Sequence, residues 1–171
     1  RESKTQSATA LMAAVDHNQT QAVAALATCG AQLDYESEQG QTALIRAALA
    51  GHVSVISSLV KSGAVVDIQA TDAYKTALIM AAEAQVVPSV VALLRCGAQI
   101  SMETKSGLTP LISAAALGKA QSVEVLLKMG ANPVYETKDG KTAAIEAVRM
   151  RQRASLLALY THGAADQVDY E

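Results

Sequence analysis

A short phrase returns along the chain at nearly constant spacing, and its period constrains the fold more than any other feature. Each copy opens on a threonine: Thr9, Thr42, Thr76, Thr109 and Thr142, in steps of 33, 34, 33 and 33 residues. A Gly-Ala pair follows each threonine by 21 residues, so two independent markers keep the same phase. A fixed period of this length predicts an array of repeated structural units, here five.

One unit reads as two short helices. Thr42 is placed to cap a first helix through its hydroxyl, and apolar residues follow at helical spacing as far as Gly51. From Val53 to Lys61 apolar residues again recur at helical spacing, and Gly63 stands where a helix commonly ends in a left-handed residue. Each unit is therefore predicted to contain a finger-like loop and two helices.

The motifs that carry a family resemblance are Gly40-Gln-Thr-Ala-Leu, Gly107-Leu-Thr-Pro-Leu and Leu126-Leu127-Lys-Met-Gly-Ala. With them the chain resembles the ankyrin repeat family over essentially its whole length. The resemblance implies an all-α fold, a solenoid of helix-turn-helix units joined by β-hairpin-like fingers, whose concave face is lined by first helices and fingers. We expect a single domain over 1–171, with repeats at about 5–37, 38–71, 72–104, 105–137 and 138–171.

Composition agrees with a repeat array and argues against a membrane protein. Half of the residues (50%) are hydrophobic but only 3% are aromatic, so the core is predicted to consist of Ala, Leu, Val and Ile. No run approaches the roughly 18 to 20 apolar residues of a membrane span, and no signal peptide precedes the first unit. We expect an intracellular, cytoplasmic chain with free thiols at Cys29 and Cys96. Because it starts at Arg1 and stops inside what would be another finger, we expect a segment of a longer protein.

Residues for catalysis or metal binding are not grouped in this sequence. His17, His52 and His162 fall in three different units, each without a Cys, Asp or Glu at metal-ligand spacing. The glycines follow the repeat and do not cluster into a phosphate-binding loop. We therefore expect no enzymatic activity, no cofactor and no metal.

Nucleic acid is a poor candidate partner. The net charge is −2, and no aromatic residues that could stack on bases lie among the basic ones. One basic cluster does occur, at Arg149, Arg151 and Arg153. It could hold a phosphate or an acidic peptide, or it could be the solvated surface of a terminal unit.

The ankyrin resemblance locates a surface for a protein partner. In that family the usual contact positions lie four, three and one residues before the threonine, on the finger, and four, seven and eight after it, on the first helix. Carried onto this sequence, they predict these partner-binding residues: Glu38, Gln41, Arg46, Leu49, Asp72, Tyr74, Lys75, Met80, Glu83, Lys105, Leu108, Ser113, Ala116, Leu117, Lys138, Lys141, Glu146 and Arg149.

The resemblance therefore implies a non-enzymatic interaction module that binds a protein or peptide segment in the concave groove, within a larger scaffold or adaptor. We expect a monomer with no direct membrane insertion. The alternative is a structural spacer or regulatory domain attached to a catalytic or channel domain outside this chain.

The predicted contact positions suggest the chemistry of a partner. Leu49, Met80, Leu108 and Leu117 would form an apolar strip, unless some of them, Leu117 above all, tuck under the neighbouring unit as core. Acidic residues mark the fingers of units one to three and basic residues those of units four and five: Glu36, Glu38 and Asp72, then Lys105, Lys138 and Lys141. The hypothesis is a partner segment with an apolar centre, one basic end and one acidic end.

The third finger departs from the repeat. Thr76 follows Gly63 by 13 positions, whereas the corresponding step in the other units is 12. Tyr74 replaces the glycine found at the tip of other fingers. Because that glycine provides backbone freedom in a tight turn, its loss predicts a remodelled loop. Tyr74 is expected either to contact the partner or to pack sideways on its own hairpin.

Overall fold

The computed structural model describes residues 2–71 and 74–163. Within these residues the chain forms ten helices and no strand. The helices are α1 (Glu2–Asp16), α2 (Thr20–Thr28), α3 (Ala43–Ala50), α4 (Val53–Lys61), α5 (Ala77–Glu83), α6 (Val87–Arg95), α7 (Pro110–Ala116), α8 (Ala120–Lys128), α9 (Ala143–Arg149) and α10 (Arg153–Gly163).

The helices form five antiparallel pairs that stack in two layers. Each odd-numbered helix packs on the next odd-numbered helix and on its own even-numbered partner, and the even-numbered helices stack in the same way. Small residues such as Ala47 and Ala48 are fully buried in the first layer, while the second layer buries larger residues such as Ile56 and Leu59. The predicted all-α repeat solenoid is confirmed.

The repeated threonine begins the first helix in four of the five units. The hydroxyls of Thr42, Thr76, Thr109 and Thr142 each accept a hydrogen bond from the backbone N–H three residues later, at 3.2–3.3 Å. This cap satisfies an N–H that the helix itself leaves without a partner. The predicted cap at Thr42 is therefore confirmed, and it recurs at Thr76, Thr109 and Thr142.

Unit one differs, and the finger predicted before its first helix is wrong. Helix α1 begins at Glu2 and continues through Thr9, which therefore lies inside the helix. The segment before Thr9 contains neither glycine nor proline, the two residues that most disfavour a helix interior. The other fingers each have a glycine or Tyr74 at the tip.

Neighbouring fingers are joined by hydrogen bonds that repeat with the period of the chain. The carboxylate of Asp34 accepts a bond from the backbone N–H of Val65 at 3.0 Å, one unit along. Glu36 accepts bonds from the N–H and the hydroxyl of Thr71 at 2.7 and 2.6 Å, and these bonds hold the pKa of Glu36 below its ordinary value of 4.5. Such bonds fix the spacing of the fingers and hence the shape of the surface that they form.

The last unit leaves an apolar end face uncovered among the described residues. Ile112 of unit four is 1% exposed because unit five covers it, whereas Ile145, at the same position of unit five, is 51% exposed. Val148, Leu157 and Tyr160 on the same unit are also exposed. The segment 164–171, which includes the tail of the chain, lies outside the described residues.

Candidate functional site

Two open hollows lie where fingers meet first helices, on the face that we call the inner face. The first, of about 310 Å³, joins units one and two and is lined by Thr9, Met12, Tyr35, Ser37, Glu38, Gln39 and Arg46. The second, of about 370 Å³, joins units three and four and is lined by Lys75, Glu83, Thr104, Lys105, Ser106, Leu108 and Ser113. The structure thus brings together seven predicted contact residues: Glu38 and Arg46 in one hollow, and Lys75, Glu83, Lys105, Leu108 and Ser113 in the other.

The first hollow contains two charged side chains, of which Arg46 forms an ion pair and Glu38 does not within the described residues. The guanidinium of Arg46 donates to the carboxylate of Asp16 in unit one, with an Nε to Oδ1 distance of 2.9 Å. Glu38 at the finger is exposed, and no ion pair or hydrogen bond of its carboxylate occurs among the described residues. This end of the inner face therefore offers a carboxylate to a partner.

In the second hollow, the charge without an ion pair among the lining residues is positive. Lys75 Nζ lies 2.6 Å from Glu83 Oε2, so these two charges neutralise each other. Lys105 is exposed, and its Nζ lies 5.5 Å from the centre of the Tyr74 ring, within the range of a cation–π contact. Since the aromatic face accepts no full hydrogen bond from the ammonium, Lys105 remains able to bind an anion.

Tyr74 occupies the backbone position of a tip glycine. Its φ of 51° is left-handed, as is the φ of 74° at Gly107. The Tyr74 N–H donates to Ala70 O, four residues back, whereas the Gly107 N–H donates to Thr104 O, three residues back. The hydrogen bond that closes this turn therefore spans one residue more than the one at Gly107. The predicted remodelling of the third finger is confirmed.

The side chain of Tyr74 reaches toward the next finger. It is 45% exposed and lies beneath Lys105 of unit four. A non-glycine residue at positive φ is strained, at a cost of order 1 kcal/mol. Tyr74 thus takes an unfavourable backbone conformation while presenting an aromatic ring beside the second hollow.

Comparison with known protein families assigns this architecture. A family model described as ankyrin repeats matches the chain in three copies, which span residues 1–72 and 78–169. The chain belongs to the ankyrin repeat family. A search of curated proteins gave no significant match. Ankyrin repeats are in general protein–protein interaction modules, and the inner face is the part of this ankyrin segment where hollows and predicted contact positions coincide.

Two predicted contact residues are buried, and their assignment to an exposed helix face is wrong. Ser113 is 2% exposed and Glu146 is 3% exposed, although Arg46 and Met80 reach the surface from the same position of units two and three. This position lies at the floor of the inner face, so the length of the side chain decides whether it emerges. The serine is too short, and the carboxylate of Glu146 is covered by the Arg149 guanidinium, whose Nε lies 3.1 Å from it.

The apolar strip is only partly available for binding. Leu49, Met80 and Leu108 are half-buried and pack against the core of the ankyrin stack. Leu117, the residue considered most able to tuck under its neighbour, is instead 48% exposed. Among the predicted contact residues within the described ranges, the exposed apolar side chains are therefore Leu117 and Tyr74.

The remaining predicted contact residues differ in their exposure and in their ion pairing. Gln41 and Ala116 are half-buried, and Lys138 is exposed without an ion pair among the described residues. Lys141 Nζ lies 3.5 Å from a carboxylate oxygen of Asp139. Asp72 lies outside the described residues.

The charge gradient along the fingers needs one correction. Glu36 is engaged by Thr71 of the next finger and so holds the fingers together, which removes it from the acidic set that faces a partner. Of the finger charges in the predicted gradient, those unpaired within the described residues are Glu38 at one end and Lys105 and Lys138 at the other. Glu136 of the fifth finger is also exposed and has no ion pair among those residues. The basic cluster is likewise reduced, because Arg149 pairs with Glu146 while Arg151 and Arg153 stay exposed.

Several residues of the hollows were not predicted from the sequence. Thr104 and Ser37 share one finger position, and their hydroxyls accept the backbone N–H of Leu108 and of Gln41, respectively. A hydroxyl recurs there as Thr137, which accepts from Lys141 N–H. That recurrence is a signal the sequence does contain, with Ala70 as the exception in unit three.

The described residues contain no group of three or more His, Cys, Asp or Glu side chains that could hold a metal ion. None of the helices in the described ranges is long and apolar enough to cross a membrane.

Proposed function

We propose that this ankyrin segment is a non-enzymatic module that binds a partner protein segment along its inner face, within a scaffold or adaptor. The observation that carries the proposal is the second hollow. It combines a paired Lys75 and Glu83, an exposed Lys105 and the half-buried Leu108. The ring of the exposed Tyr74 lies beneath Lys105, and Leu117, in the same unit as Lys105, is also exposed. Packing of the stack does not require these exposed side chains, whereas a bound segment would bury them.

The unpaired charges suggest how such a segment would lie. Glu38 is near one end of the inner face, and Lys105 and Lys138 are near the other. A partner with a basic end over units one and two and an acidic end over units four and five is complementary to this arrangement. The free state of Cys29 and Cys96 is consistent with an intracellular location, which we include in the proposal.

A spacer function is the second candidate. The half-buried state of Leu49, Met80 and Leu108 supports it, because side chains that pack on the core offer less surface to a ligand. In that reading the segment holds other domains apart and has no dedicated partner.

Affinity capture from cell lysate distinguishes the two functions. The native chain is compared with a Lys105→Glu, Leu117→Glu double variant, whose sites are both exposed. A Lys61→Glu variant on the exposed part of α4 is the control, and all three chains are first shown to unfold at similar temperatures. A binding module should lose its captured protein only in the inner-face variant. Equal recovery from all chains would refute the inner-face site, and recovery of nothing would favour the spacer.

A further inference from the structure

The buried hydroxyl of Ser113 lacks a hydrogen-bond partner among the described residues, although Ser113 lines the second hollow. A buried hydroxyl without a partner is unfavourable, so such groups in native proteins call for an explanation. The equivalent polar residues of other units are satisfied: Arg46 binds Asp16, and Glu146 binds Arg149. Ser113 is thus the exception among the polar residues at this position of the repeat.

The charges around the second hollow define what Ser113 could bind. Lys75 and Glu83 neutralise each other, and Lys105 leaves one positive charge without a carboxylate among the lining residues. The hydroxyl of Ser113 can donate one hydrogen bond, and the ammonium of Lys105 can donate several. A group that accepts hydrogen bonds and carries one negative charge satisfies both.

We propose that the second hollow binds the carboxylate of an Asp or Glu side chain from the partner segment. The carboxylate pairs with the ammonium of Lys105. The Ser113 hydroxyl, which is enclosed in the free chain, rotates about χ1 to donate a hydrogen bond to one carboxylate oxygen. Half-buried Leu108 and exposed Leu117 contact apolar residues that flank the acidic one. This inference rests on the proposed function, because it identifies an anchor residue of the same partner.

A phosphorylated residue fits the hollow less well than a carboxylate. A phosphate monoester carries about −1.5 to −2 charges near pH 7. It would meet one unpaired cation, Lys105, and the carboxylate of Glu83 in the wall. The single negative charge of a carboxylate matches the local balance more closely.

The test uses two blocked peptides, acetyl-Ala-Leu-Glu-Leu-Ala-amide and its Gln counterpart, titrated into the ¹⁵N-labelled chain and followed by NMR. The Glu peptide should shift the amide signals of Ser106 and Ser113, with an affinity about fivefold above that of the Gln peptide, the size of effect expected for one solvent-accessible charge pair. Because Gln has the same shape, the comparison isolates the charge.

Variants separate the two contacts. Lys105→Gln should abolish the preference for Glu over Gln, and Ser113→Ala should weaken binding of both peptides. Lys61→Gln, which removes an exposed lysine on α4 outside the hollow, should change neither. The Lys105→Gln change is made at an exposed side chain, so the fold is retained if the Ser113 variant proves unstable.

Failures of the two proposals give different results. If both peptides shift the second hollow equally, or bind elsewhere on the inner face, the carboxylate site is refuted while inner-face binding stands. If neither peptide shifts any amide, the carboxylate site is refuted, and the capture experiment alone decides whether a partner binds the inner face.

Discussion

The carboxylate of Asp67 accepts the backbone N–H of Gln99, which lies 32 residues further along the chain, at 3.0 and 3.2 Å from its two oxygens. Asp34 makes the same contact with Val65 one unit earlier. Ser101, at the equivalent position of unit three, makes no side-chain hydrogen bond to the next unit among the described residues. Two junctions between units therefore have this side-chain hydrogen bond, and the equivalent junction at Ser101 lacks it among the described residues.

Replacing Asp67 with Ala should lower the free energy of unfolding by about 1 kcal/mol, the usual net value of one intramolecular hydrogen bond. Ser101→Ala, at the equivalent position without the bond, should change it by less than about 0.5 kcal/mol. Urea unfolding followed by circular dichroism measures both. Equal losses in the two variants would show that the contact does not stabilise the junction.

Acid should weaken the link between the first two complete fingers. The pKa of Glu36 lies below 4.5 because Thr71 donates to its carboxylate from the hydroxyl and from the backbone. This contribution is complete above the ordinary pKa and is lost as the pH falls below it toward the folded value, since the unfolded chain takes up the proton first.

Thr71→Val removes the hydroxyl and keeps the shape, so less stability should be lost between about pH 5.5 and about pH 3.5 than in the native chain. Thr28→Val is the control, because the exposed Thr28 hydroxyl donates only to the Ala25 carbonyl of its own helix. Urea unfolding at the two pH values measures the difference. An unchanged pH dependence in Thr71→Val would contradict the assigned cause.

The general fold could be predicted from the sequence, because the repeat fixes which residues cap and which are buried. Thr42 as a cap and Ile112 as core follow from local spacing, and each recurs in other units. The departure of the first unit from the repeat was harder to predict. Helix α1 runs through the expected first finger because nothing in residues 2–8 stops it.

The exposure of individual contact residues could not be predicted from the period. The period gives the direction of each Cβ, but Ser113 and Met80 share a direction and differ in how far they reach. Glu36 is occupied by Thr71 of another unit, and Glu146 by Arg149. The first pairing depends on the neighbouring unit, which a single repeat does not contain, and the second depends on whether two side chains of the same helix meet.

Two isoleucines at the same repeat position should respond differently to truncation. Ile112→Ala should cost about 2–5 kcal/mol, because it removes buried methyl groups and leaves a cavity. Ile145→Ala should cost less than about 1 kcal/mol, because this side chain is half exposed and leaves little cavity. Thermal and urea unfolding of both variants test the prediction, and equal costs would mean that the end face of unit five is covered.

The second layer carries a column of buried serines, at Ser89, Ser122 and Ser155, whose hydroxyls have no hydrogen-bond partner among the described residues. Val55 fills the same position in unit two, so an apolar side chain is accommodated there. Ser122→Ala should raise the free energy of unfolding by up to about 1 kcal/mol, because it removes an unsatisfied hydroxyl and improves helix propensity.

Ser54→Ala, on the exposed side of α4, is the matched control for that column because it changes helix propensity alone. The gain from Ser122→Ala should exceed the gain from Ser54→Ala in urea unfolding. A less stable Ser122→Ala chain would show that the hydroxyl is satisfied in solution.

The central claim, that a protein partner binds the inner face, is tested most directly by photo-crosslinking in cells. In separate chains, a photoreactive amino acid replaces Leu117 or Tyr74, which are predicted contact residues, or Lys61 or Gln121, which are exposed residues of the second-layer helices α4 and α8. Binding along the inner face predicts a discrete crosslinked protein from Leu117 and Tyr74 and none from Lys61 or Gln121. A discrete product from the outer positions alone would contradict it.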